Sequence, residues 1–122
     1  MPINSTEVSY GFGQMGSVFS DTTGAITPPA NKVFVAITML ADTVFNSTNG
    51  LVADNNITSG LEYAGTGTAA HDAVLSPDLG ESGTGGDVIN NGNTFPKGIT
   101  IYGRWTKVTN NAATPIMLYI GD

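Results

Sequence analysis

Lys32-Val33-Phe34-Val35-Ala36-Ile37-Thr38-Met39-Leu40-Ala41-Asp42-Thr43-Val44-Phe45 is the longest strand candidate of the chain. Its centre, Val33 to Ile37, is apolar on both faces of an extended chain, because successive side chains of a strand point to opposite sides. A half-buried strand would alternate apolar and polar residues. An unbroken apolar run reads as a central strand covered on each side, by a second sheet or by a neighbouring subunit. The run from Val33 to Ala41 is interrupted by Thr38 and is too short to span a bilayer.

Turn and strand signals surround this segment. On its N-terminal side, Thr27-Pro28-Pro29-Ala30-Asn31 is a stiff turn, since neither Pro can donate to a ladder. Ser17 to Ser20 is a short strand candidate. Further upstream, Val8, Tyr10 and Phe12 alternate with Ser9, Gly11 and Gly13. That period of two marks either a first core strand or an arm that adds itself to a neighbouring chain. On the C-terminal side, Asn49-Gly50 is a strong turn signal. Leu51 to Tyr63 has room for a strand or two, and Thr66 to Asn93 reads as a long Gly-rich loop. Phe95-Pro96-Lys97-Gly98 is a turn. Ile99 to Val108 is a strand, with Ile101 and Trp105 expected on one face and Tyr102 and Val108 on the other. Asn110-Asn111-Ala112-Ala113 is a turn, after which Pro115 to Ile120 is expected to pair back as a hairpin.

No sustained helical stripe occurs, and sixteen glycines interrupt most candidates. The expected fold is all-β: one antiparallel β-sandwich or jelly-roll-like domain with long Gly-rich loops. Residues 1–14 form an arm or first strand, and residues 15–122 the sandwich domain.

Composition narrows function by exclusion. Only 11% of the 122 residues are charged, against about 25% in an average soluble domain. The basic residues are Lys32, Lys97, Arg104 and Lys107, and the net charge is −6. That balance works against nucleic-acid binding, which needs a basic footprint. Gly, Asn, Thr, Ser and Ala replace the missing charge. Such a surface is laid against other protein at low desolvation cost, which points to a component of an assembly. No Cys is present, so disulfides and thiolate metal sites are excluded. The N-terminal residues lack the basic and apolar regions of a signal peptide, and no membrane partner is expected.

Catalytic and metal signatures are sparse. His71 is the only His, followed by Asp72 and near Ser76. Such residues form a triad only when one geometry unites them, and Gly-x-Ser-x-Gly is missing. The segment Asp87-Val88-Ile89-Asn90-Asn91-Gly92-Asn93 offers oxygen atoms without the alternating rhythm of a calcium loop. Gly83-Thr84-Gly85-Gly86 lacks the Lys-Ser/Thr of a phosphate-binding loop. No catalytic, cofactor or metal residue is expected. The expected interface residues are Val8, Tyr10, Phe12, Tyr102 and Trp105. For the aromatics of the last two strands, core packing and an exposed sugar- or protein-binding platform are the competing readings.

The segment Phe95 to Val108, FPKGITIYGRWTKV, followed by a short turn and an apolar strand ending Tyr119-Ile120-Gly121-Asp122, resembles small structural proteins of tailed bacteriophages, including marine and cyanobacterial ones. Lys32 to Thr38 with Asp42 to Phe45 resembles the same group. The likeness covers about a third of the chain. It implies a capsid decoration or cement protein on the outer capsid surface, often trimeric, that braces joints between major capsid protein subunits. No active-site residue is carried over, because that group has none. The rival expectation is a tail or fibre module that binds host-surface carbohydrate.

Overall fold

A computed structural model describes residues 15–54, 63–66 and 88–122. Five strands occur in the order β1 (Ser17–Ser20), β2 (Val33–Met39), β3 (Leu51–Ala53), β4 (Thr100–Val108) and β5 (Ile116–Gly121). They form one antiparallel sheet ordered β1-β5-β2-β4-β3. No helix occurs among the described residues, so the chain is all-β. The described residues contain one sheet and not the two of a sandwich. Val8, Tyr10, Phe12 and His71 lie outside the described residues.

The doubly apolar stretch from Val33 forms the middle of this sheet. β2 pairs with β5 on one side and β4 on the other. It ends at Met39, earlier than the expected Phe45. Beyond it, Thr43 and Phe45 make isolated bridges to Phe95 and Asn110.

The expected hairpin between the last two strands does not form. β4 and β5 each run antiparallel to β2, so they run parallel to each other with β2 between them. Parallel strands require a crossover. Residues 109–115 supply it, running back beside residues 40–46. The hydrogen bonds Leu40 N–H to Pro115 O (3.0 Å), Asn46 N–H to Thr109 O (3.0 Å) and Asn111 N–H to Val44 O (2.9 Å) hold the two segments together.

Two irregularities set which residues face inward. The register shifts between Phe34 and Ala36 in β2, so Phe34 and Ile37, three residues apart, both enter the core. A second shift opposite Val52 and Ala53 leaves Thr106 as an extra residue in β4. Trp105 and Val108 therefore share the core face, against the expectation that alternation separates them. The core rows run Val18–Leu118–Ile37–Ile101 and Ser20–Ile116–Met39, with Ile120, Phe34 and Trp105 beyond. The second layer over this face is irregular chain. Phe45 is fully buried and meets Phe95 edge-on, ring centroids 5.5 Å apart at 63°. Such a pair adds about 0.5–1.5 kcal/mol beyond its area burial.

Candidate functional site

The opposite face of the same sheet is the candidate site. Alternation and register place two cross-strand rows on it. One row is Phe19–Met117–Thr38–Thr100; the other is Ser17–Tyr119–Ala36–Tyr102. Neither row contains Asp, Glu, Lys or Arg. Phe19 is 55% exposed and Tyr102 61% exposed. Met117, Tyr119, Thr38 and Thr100 are half-buried, and the Thr38 and Thr100 hydroxyls bond each other at 2.8 Å. That bond satisfies two polar groups within the face and leaves its centre neutral. Ala36 is buried at the bottom of its row.

Charge gathers at one end of this face. Lys32 pairs with the Asp122 carboxylate. Arg104 donates to the Asp122 main-chain oxygen at 2.5 Å and pairs with Asp54 at 3.4 Å. Its guanidinium also lies 5.9 Å from the Tyr63 ring centroid. Lys107, by alternation, points to the same side. Three of the four basic residues of the chain thus border a neutral patch on an otherwise acidic protein.

Of the residues singled out from sequence, Tyr102 is exposed on this face, whereas Trp105 is not. Trp105 is 1% exposed on the core side, and its Nε1–H donates to Ala64 O at 2.8 Å. It is a core residue and not part of an exposed aromatic platform with Tyr102. The signal for this was Gly103, two residues earlier on the same face. A Cβ there would stand 2.6 Å from Trp105 Cζ2, so the indole lies across a position that admits no side chain. Phe19 and Met117 were not foreseen, because their place on the face depends on the β1–β5 and β2–β5 pairings.

Among the described residues, no group of three or more His, Cys, Asp or Glu is placed to hold a metal ion. No helix among them is long and apolar enough to cross a membrane. Comparison with protein-family models, with curated proteins and with solved structures finds no match. The chemistry of the site therefore rests on its own geometry: a neutral face, aromatic at two corners and bordered at one end by the ion pairs of Lys32 with Asp122 and Arg104 with Asp54. Such a face buries against protein without stranding charge.

Proposed function

We propose that the chain is a non-enzymatic structural protein of a tailed-phage particle. It binds the outer surface of the capsid as a homo-oligomer and reinforces contacts between major capsid protein subunits. The observation that carries association with other protein is the sheet face with exposed Phe19 and Tyr102 and no charged side chain in its two rows. The likeness of residues 32–38, 42–45 and the C-terminal segment from Phe95 to phage structural proteins supports the particle assignment.

The mechanism is mass action. A protein that binds the assembled shell, and not its separated subunits, stabilises the shell. An oligomer that touches several subunits gains effective concentration as well. With four cations per chain, attachment depends on neutral contacts, which salt does not weaken as it does exposed ion pairs.

The test compares bare with decorated particles. Protein should stay on capsids through a salt series, and decorated particles should melt at a higher temperature. Identical melting of the two particles overturns the reinforcing role. The carbohydrate-binding reading has lost one of its two platform aromatics with the burial of Trp105. A glycan array tests what remains of it.

A further inference from the structure

We infer that the neutral sheet face docks a second copy of this chain, face to face, about a two-fold axis parallel to the strands along the β5–β2 seam. This rests on the reading of that face as an assembly surface and names its occupant.

The reasoning is one of size. The four strands carry, in order β1, β5, β2 and β4, the rows Phe19–Met117–Thr38–Thr100 and Ser17–Tyr119–Ala36–Tyr102. The first row reads large, large, small, small; the second reads small, large, small, large. The proposed axis reverses the strand order and keeps the rows. Met117 then faces the partner's Thr38, and Tyr119 faces the partner's Ala36. At the outer strands, Phe19 comes over the partner's Thr100 and Ser17 under the partner's Tyr102. Every large side chain meets a small one. A two-fold interface must be self-complementary in this way, because residue i meets j and j meets i. Aligned sheets pack about −30° apart. That rotation displaces the outer pairs more than the Met117–Thr38 and Tyr119–Ala36 pairs near the axis, so the central pairs set the register.

Charge within the rows does not bar this occupant. Arg104, Lys107 and Lys32 lie at one end of the face, outside both rows, so the two chains bury no unpaired charge between the rows. Size limits the strength. At the usual strand spacing and rise, the four paired strands, of 4 to 9 residues, present a face of roughly 19 Å by 21 Å, about 400 Å² per copy. The total of about 800 Å² is that of a weak, transient contact, so dissociation in the high-micromolar range is expected. Each chain carries a net charge of −6. Long-range repulsion therefore opposes pairing, and added salt should tighten it. This two-fold pair differs from the trimer that the resemblance to phage structural proteins implies, and by itself gives an even number of chains. Contact with the shell then falls to the remaining surface of the pair.

The experiment is sedimentation of the full chain over a concentration and salt series, with circular dichroism to confirm that each variant folds. A reversible dimer that tightens with salt is expected. F19D should weaken it at least tenfold, since two carboxylates enter a neutral interface. T38M sets Met against the partner's Met117 and should weaken it by a similar factor. M117T also weakens it, and T38M/M117T, which exchanges large for small on both sides of the axis, should recover most of the loss. A monomer at every concentration, or a dimer indifferent to F19D, overturns the proposal. So does a monomer that dimerises only after removal of residues 1–14, which would make the chain's own N-terminal segment the occupant. Equal losses in T38M and in the double variant overturn the stated axis. Capsid binding is measured separately: a wild-type chain that stays monomeric yet decorates capsids ends this inference and leaves the decoration role standing, whereas a dimer that does not decorate ends the decoration role and leaves this inference standing.

Discussion

The two faces of the sheet are built from the same strands and often from adjacent residues, yet they have opposite fates. Leu118 is fully buried, while Met117 and Tyr119 on either side of it are half-buried. Ile101 packs on the core, and its neighbour Tyr102 is 61% exposed. The chain supplies its own cover for one face, through residues 40–46, residues 109–115 and the ring of Phe95. The other face keeps large apolar and aromatic groups near the surface without charges to hydrate them. Burial within the chain explains the first face. In the proposed function, association with other protein covers the second.

Trp105→Ala removes a buried indole and leaves its cavity and the Ala64 carbonyl unpartnered, so a loss of about 3–5 kcal/mol is expected in denaturant unfolding. Tyr102→Ala, three residues away on the other face, should stay within about 0.5 kcal/mol. Comparable losses in the two variants would mean that the faces do not differ in the way described. Gly50→Ala ranks next. A Cβ there would lie 2.3 Å from Asn46 O and 2.7 Å from Phe45 Cβ. The turn must shift to admit it, and overpacking of this kind costs about 1–3 kcal/mol. An unchanged denaturation midpoint would show that residues 45–50 are loosely held over the core face.

The sequence made β2, β4 and β5 legible, because each carries an apolar or alternating run that local chemistry interprets. Ser17–Ser20 was also foreseen within its bounds. What local chemistry could not show was partnership. Residues 109–115 read as a hairpin turn from Asn110-Asn111, but β2 occupies the position beside β4 that β5 would have taken. Asn110 itself is 2% exposed, with its side-chain amide donating to Thr114 O at 3.0 Å. A polar residue buried by a tertiary crossover has no local signature. The two register shifts were equally hidden. One extra residue in a strand reverses the facing of every residue after it, and nothing in Gly103-Arg104-Trp105-Thr106-Lys107-Val108 announces which residue is extra. The candidate face was therefore half legible. Tyr102 was visible as a strand aromatic, but its companions Phe19, Met117 and Thr38 became its neighbours only through pairing.

The smallest expected effect concerns the charged end of the face and sharpens the contrast between charge and burial. The Lys32–Asp122 pair joins the residue before β2 to the residue after β5. It bridges the ends of two central strands. Its side chains, however, are 35% and 73% exposed, and solvent screens such a pair strongly. Holding a long lysine side chain in one geometry also costs conformational entropy, so Lys32→Ala should lower stability by no more than about 1 kcal/mol. The loss should shrink in roughly 1 M salt, where the screening length falls to about 3 Å. Trp105→Ala should keep its full cost under the same conditions, because cavity and packing losses are not screened. Unfolding curves of both variants at low and high salt make the comparison. If Lys32→Ala cost as much as Trp105→Ala, or its effect persisted undiminished in high salt, the ion pair would hold the central strands together. Stability would then no longer be assignable to the covered face alone.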